Sequence, residues 1–415
     1  QTRRSVPAAG QRRPVWIATG KNERTGGSFM LFQRRLTREF LDTARKVRLG
    51  TLRVVTPEGE VHHFGGTAPG PEAALIVHDW RTIPALAAKG DIGMTEAYRD
   101  GWCDTPDLEA LLTLALLNED ALERYIYGNR LRMLALRALY VLNRNTRTGA
   151  RRNISAHYDL GNDFYSLWLD PSMTYSSALF SDGDDLGAAQ QRKYDRIIDN
   201  LAGESGRLLE IGCGWGGFAE RALSRGDFAP KGLTLSVEQA EYARRRLDGN
   251  AEIALQDYRD ESGRFDHVVS IEMFEAVGER YWRDYFGKLA QVLSQKGRAM
   301  VQTITVADRY FDRYRAGPDM IRSFIFPGGM LPSPTRFEAE ARAVGLRIEE
   351  TFNFGLDYAR TLRDWLARFD ESLPRIREMG FDEGFIRVWR FYLAACAASF
   401  SVGRTDVIQY RMSHG

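Results

Sequence analysis

From residue 190 to residue 304, short apolar clusters alternate with amphipathic stretches. Leu208, Leu209 and Ile211 form a compact apolar run, and others follow at 232–235, 253–256, 267–271 and 298–304. Between them, positions 217–225, 237–247 and 280–293 carry apolar residues at helical spacing, as does 190–201 just upstream. Strands of four to eight residues that alternate with helices predict parallel pairing and crossover helices, hence a doubly wound α/β fold. Upstream, Leu52–Phe64 alternates apolar and polar residues around Pro57-Glu58-Gly59, a hairpin signal, and Asp107–Leu117 has helical spacing. Residues 30–120 are therefore expected to form a smaller N-terminal α+β domain. Ser323–Ser333 is an apolar loop broken by Gly and Pro, expected to lid an apolar pocket. The chain from there to about residue 402 reads as helical, and no internal repeat is visible.

Composition narrows the class. The 415 residues are 44% hydrophobic and 27% charged with a net charge of +2, so no global field points to nucleic acid. The three cysteines lie far apart, and the six histidines form no ligand cluster, so neither a disulfide framework nor a metal is expected. No apolar run is long enough to span a bilayer, and the first residues lack the apolar stretch of a secretory leader. The expected location is cytoplasmic. Residues 1–29 read as a disordered or upstream-extended tail with Arg3-Arg4 and Arg12-Arg13 in it, and Met30 is an alternative start. Residues 121–152 read as a basic amphipathic linker helix, with no acid from Asn129 to Arg152. Two readings fit that stretch: contact with an anionic membrane surface, or a linker whose arginines pair with acids elsewhere.

The chemistry concentrates after the first strand, where Glu210 precedes Gly212, Gly214, Gly216 and Gly217. Such a turn brings a ligand against bare backbone at a helix start. The spacing also fits a dinucleotide fingerprint. A nicotinamide site, however, calls for an acid at the tip of the second strand, and that strand ends Leu233-Thr234-Leu235-Ser236. Glu210 suits instead a ligand with a cationic centre and an amino-acid ammonium, such as S-adenosylmethionine. Gln239 can serve its ribose hydroxyls. Asp257 either accepts from its adenine amino group or caps a turn.

Eight runs then occur in order: His157–Tyr165, Tyr175–Phe180, Glu210–Gly216, Leu233–Ser236, Gln256–Asp260, Met273–Gly278, Phe326–Ser333 and Asn353–Gly355. Together, across residues 150–410, they resemble the cyclopropane-fatty-acyl-phospholipid synthase family. The resemblance implies a Rossmann-like class I methyltransferase domain over 153–415 that methylates a double bond of an unsaturated phospholipid acyl chain. The implied S-adenosylmethionine contacts are Tyr175, Ser176, Glu210, Gly212, Gly214, Gly216, Thr234, Gln239, Gln256 and Asp257. Tyr175 and Phe274 are expected to stabilise cationic charge. The resemblance also implies a bicarbonate base held by Cys, Glu, His and Tyr. Glu275 matches the Glu, while Ser177, Gln302 and Leu366 stand at the other three positions. These departures point to a divergent member, peripheral to the inner membrane face, whose product need not be a ring. A conjugated-diene acceptor, a soluble small-molecule acceptor, a non-catalytic lipid binder and a homodimer are the other arrangements the sequence leaves open.

Overall fold

A computed structural model describes residues 37–127 and 160–415. The basic tail (1–29), Met30, the acid-free stretch 129–152 and the start of the aromatic run at His157 lie outside the described residues.

The expected hairpin forms from β1 (Leu49–Val55) and β2 (Val61–Gly65), paired antiparallel and closed at Val55 and Val61. β3 (Ala68–Val77) runs parallel to β1, and β4 (Cys103–Asp104) completes a four-stranded sheet in the order β2-β1-β3-β4. The helix Leu108–Leu117 starts where the Asp107 side chain accepts from the Ala110 N–H. That cap satisfies one of the orphan donors of the first turn.

The larger sheet has seven strands in the order β10-β11-β9-β8-β5-β6-β7. β5 (Ser205–Ile211), β6 (Asp227–Thr234), β7 (Glu252–Leu255), β8 (Phe265–Ile271) and β9 (Leu293–Val306) are parallel. Helices Gly217–Arg225, Val237–Leu247 and Trp282–Val292 make the crossovers, as the periodicity predicts. The reading of the chain from the lid to about residue 402 as helical needs correction at β10 (Leu346–Asn353). It pairs with β11 (Thr405–His414), which lies beyond that stretch and inserts antiparallel beside β9. β10 mixes helix formers (Leu346, Glu349, Glu350) with strand formers (Ile348, Thr351, Phe352), so local propensity is indecisive and pairing with a strand more than fifty residues away settles it.

Helices Gly355–Glu371 and Glu383–Ser401 pack together and against the small domain. Trp168, Trp365 and Phe391 share one apolar core with Leu111 and Tyr98 of the small domain. Each fully buried aromatic contributes about 2 kcal/mol of transfer free energy, so this joint core ties the two domains into one wall. Arg387 reinforces it by donating to the backbone carbonyls of Tyr98 and Cys103.

Candidate active site

The carboxyl ends of β5–β9 converge on one edge of the sheet, the usual ligand edge of such a fold. There Gly212, Gly214 and Gly216 have φ of +84°, +51° and +85°, which L side chains rarely adopt. The loop is tied to β6 because the Gly212 and Cys213 N–H groups both donate to the Leu233 carbonyl. A side-chain carbon added at Gly214 would meet nothing within 4 Å, and that open side faces a cavity of about 170 Å³. Gly216 departs from expectation: a side-chain carbon there would meet Ala243 and Leu247 at 3.2 Å. It therefore seats the helix Val237–Leu247 and is absent from the cavity wall.

The other expected residues around this cavity, Tyr175, Ser176, Glu210, Thr234, Gln239, Gln256 and Asp257, all line it. Thr234 donates to Gln239 Oε1 at 2.9 Å, which turns the Gln239 amide hydrogens toward the cavity. Of the two roles read for Asp257, the structure shows the cap. It lines the cavity, and it caps a turn by accepting from the backbone N–H and guanidinium of Arg259. Glu210 Oε2 is buried with no hydrogen-bond partner among the described residues, and burial pushes this carboxyl well above the usual range. An orphaned acid, a free amide and an open glycine face fit a ligand with an ammonium, a diol and a close-lying backbone contact.

Beneath Ser176 lies Lys193, whose Nζ donates to the Ser176 hydroxyl at 2.7 Å. Burial pulls this ammonium down to about 7, against the attraction of Glu272, Asp170 and Glu210. The sequence reading passed over Lys193. Its signal was the helical spacing of Gln190, Lys193 and Ile197, which places it on the buried face of Leu186–Asp199.

A second, far larger cavity of about 1270 Å³ begins where the first ends. The small domain walls it with Phe40, Leu86 and Met94, and the lid adds Met320, Phe326 and Met330. Tyr175, Glu272 and Ala276 line both cavities and so mark their junction. Tyr175 stands in an aromatic wall, its ring centroid 5.3 Å from Trp365 and 6.4 Å from Phe326, and its hydroxyl is 2.9 Å from that of Tyr392. Phe274 takes no part: it is fully buried under the sheet against Trp282, Tyr285 and Phe337.

Glu272 is the first residue beyond β8, with φ +49°. A left-handed non-glycine residue costs on the order of 1–3 kcal/mol, which surrounding contacts must sustain. Its Oε1 accepts from the Ser177 N–H at 2.9 Å and from Gln302 Nε2 at 2.7 Å, and its Oε2 accepts from the Tyr358 hydroxyl at 2.6 Å. Gln302 is oriented in turn, since its carbonyl accepts from Gln409 Nε2 at 3.0 Å. Burial raises the Glu272 pKa, and Tyr358, Ser177, Gln302 and Lys193 act against that rise.

Glu275 lies one layer back, where its Oε1 accepts from the Ile304 N–H and the Thr303 hydroxyl and its Oε2 is buried with no partner among the described residues. Burial, followed by the charge of Glu272, lifts it to about 8, so at neutral pH it holds its proton. Glu275 lines the larger cavity and not the smaller one.

These contacts correct the expected anion site. Leu366 packs into the core, and the tyrosine that reaches the site is Tyr358, two turns earlier on the same helix. Ser177 acts through its backbone N–H, its hydroxyl being turned to the Ala178 carbonyl. Ser177, Gln302 and Tyr358 all donate to Glu272, so the groups expected around bicarbonate already hold a carboxylate. The residues present do not fit that ion. Glu272 was legible as an acid at the carboxyl end of a parallel strand. Tyr358 had no such signal, since only the fold brings it to Glu272.

The model of the mycolic acid cyclopropane synthetase family matches residues 145–410. A tuberculostearic acid methyltransferase of Mycobacterium tuberculosis is 38% identical over 84% of this chain and 86% of its own length. The cyclopropane-fatty-acyl-phospholipid synthase of Escherichia coli is 37% identical over 85% and 90%. Among solved structures, a mycolic acid cyclopropane synthase complexed with SAH and CTAB superposes with a TM-score of 0.60 at 31% identity, over 63% of this chain and 97% of its own. The span 145–410 matched by the family model contains the glycine turn, the carboxyl edge of the sheet and the lid, and with the identity to these relatives it places this chain in the mycolic acid cyclopropane synthetase family as an S-adenosylmethionine-dependent methyltransferase.

Proposed function

We propose that the enzyme methylates a double bond in an unsaturated phospholipid acyl chain, leaving a cyclopropane or a methylated or methylene chain. The observation that carries this reading is the meeting of a small cavity of mixed polar and apolar lining with a large, mainly apolar one at Tyr175, Glu272 and Ala276. A chamber walled by Leu, Met and Phe side chains suits an acyl chain and disfavours a polar acceptor, whose desolvation it would not offset. S-adenosylmethionine, when bound, supplies an electrophilic methyl.

An alkene is a weak nucleophile, so the protein must hold it close to that methyl and keep water out. The lid meets this need because it is pinned to the site: the Met330 N–H donates to the Glu275 carbonyl at 2.8 Å, and the Val306 N–H to the Pro332 carbonyl at 2.9 Å. Arg322 locks the lid base against Asp319 and the Tyr314 carbonyl. Tyr175 offers a π face to the positive charge that appears on the chain once a new carbon–carbon bond forms.

No described helix is long and apolar enough to cross a membrane. Access to lipid is assigned to contact with an anionic, cytoplasmic membrane face through the basic stretch 129–152. A conjugated-diene acceptor or a non-catalytic role has no observation in its favour.

Methyl-labelled S-adenosylmethionine and phospholipid vesicles test the reading. Label is expected in the acyl chains of cis-monounsaturated vesicles and not in saturated ones. Absence of label from every unsaturated vesicle, by a protein that binds S-adenosylmethionine, overturns it.

A further inference from the structure

We propose that Glu272 is the proton acceptor of the reaction, a carboxylate built into the chain where the family resemblance expects a borrowed bicarbonate. The inference rests on the acyl-chain reading above and deepens it. Three features single out this side chain. It lines both cavities, so it reaches the place where the methyl donor and the acyl chain meet. It is held from three sides by the Ser177 N–H, the Gln302 amide and the Tyr358 hydroxyl, donors that favour its charged form. Its backbone keeps a left-handed conformation, φ +49°, that a residue with no role beyond packing would be expected to shed.

The neighbouring candidates are weaker. Glu275 does not line the donor cavity and holds its own proton. The Tyr358 hydroxyl already donates to Glu272, and burial raises its pKa, so it is a poor base. Lys193 lines neither cavity and is engaged with the Ser176 hydroxyl.

The step balances without a further reagent. The alkene π pair forms the bond to the methyl carbon as the carbon–sulfur bond breaks, and positive charge is left on the adjacent chain carbon. A proton then leaves carbon, and its bonding pair closes a ring or makes a double bond. Glu272 Oε2, which among the described residues accepts from the Tyr358 hydroxyl alone, takes that proton and becomes a carboxylic acid. The proton passes to water once product leaves, and the carboxylate is restored. Gln302 and Gln409 are positioning residues, since they act by orienting Glu272.

The test uses the full chain, labelled S-adenosylmethionine and cis-monounsaturated phosphatidylglycerol vesicles, in buffer freed of carbon dioxide and in the same buffer with bicarbonate added. Wild-type product formation is expected to be the same in both. Glu272→Gln preserves shape and is expected to lose about 100-fold or more of the rate, the contribution typical of a general base, with S-adenosylmethionine affinity unchanged by calorimetry. Glu272→Gly suits the left-handed backbone and opens a space among the three donors. It is expected to regain activity when bicarbonate is added and to broaden the NMR line of carbon-13 bicarbonate, which the wild type leaves sharp. Wild-type activity that stops without bicarbonate, an active Glu272→Gln, or bicarbonate bound by the wild type overturns the proposal. If no vesicle is labelled, the acyl-chain reading has failed, and the carbon-13 measurement still decides whether Glu272 occupies the anion position.

Discussion

The cavity beside the glycine turn occupies about 170 Å³, and polar groups such as Glu210, Thr234, Gln239 and Asp257 stand in its wall among apolar ones such as Leu233 and Met273. The one beyond Glu272 occupies about 1270 Å³ and is walled by apolar side chains from the small domain, the lid and the last long helix. The first is assembled mostly from loops that directly follow adjacent parallel strands, whereas the second exists only where segments remote in sequence pack. A polar ligand needs directional partners at fixed positions, and one strand-to-helix turn can supply them. An acyl chain needs only volume and exclusion of water, which many different side chains can provide. Donor recognition should therefore be sensitive to single backbone positions, and acyl recognition to bulk.

The largest expected effect breaks the donor side. Gly212→Val places a branched side chain at φ +84°, with its Cβ 2.8 Å from the Met273 side chain. The strain alone is about 2 kcal/mol, so S-adenosylmethionine affinity measured by calorimetry should fall at least ~30-fold. Retention of wild-type affinity would show that the turn is not the donor site.

A middle-sized effect separates the two cavities. Ala395 lines the larger one only. Ala395→Trp should lower methyl transfer to long acyl chains by about 10-fold, near 1.4 kcal/mol, while leaving donor affinity alone. A parallel loss of donor affinity would mean that the cavities are not independent.

The smallest effect concerns the buried pair at the junction. Glu275 titrates at about 8 in the folded chain against 4.5 for the free side chain, because of burial first and Glu272 second. Between those values the folded state keeps a proton that the unfolded state has lost. This contribution to stability is fully present below 4.5 and is lost as pH rises through about 8. Glu275→Gln should flatten that decline in the thermal midpoint across this window. An unchanged slope would remove Glu275 as its source.

The glycine turn, the helix cap at Asp107, the hairpin at Pro57–Gly59 and the parallel strands β5–β9 were all legible along the chain. Each depends on residues within a few positions of one another, so backbone sterics and short-range periodicity suffice to specify it. On the donor side, Gln239 and Asp257 were legible from their place after adjacent strands, while Thr234 and Gln256 came only from the family resemblance. β10 and β11 were not legible, because their partners are remote and the local composition of β10 is indecisive. Gly216 is implied as a ligand contact by the same resemblance, which cannot distinguish a glycine that admits a ligand from one that admits a neighbouring helix.

What the sequence by itself determined is thus the parallel part of the sheet, its glycine turn and the class of donor ligand, features encoded in contiguous runs. Only the tertiary structure decided the acyl cavity and the identity of the junction residues. Glu272, Tyr358 and Gln302 lie on three elements with no local relation, and their hydrogen bonds arise when β8, β9 and the helix Gly355–Glu371 meet. Their meeting replaces an expected site for a free anion with a carboxylate of the chain itself, because the final position of a buried charge is set by the donors that the fold gathers around it.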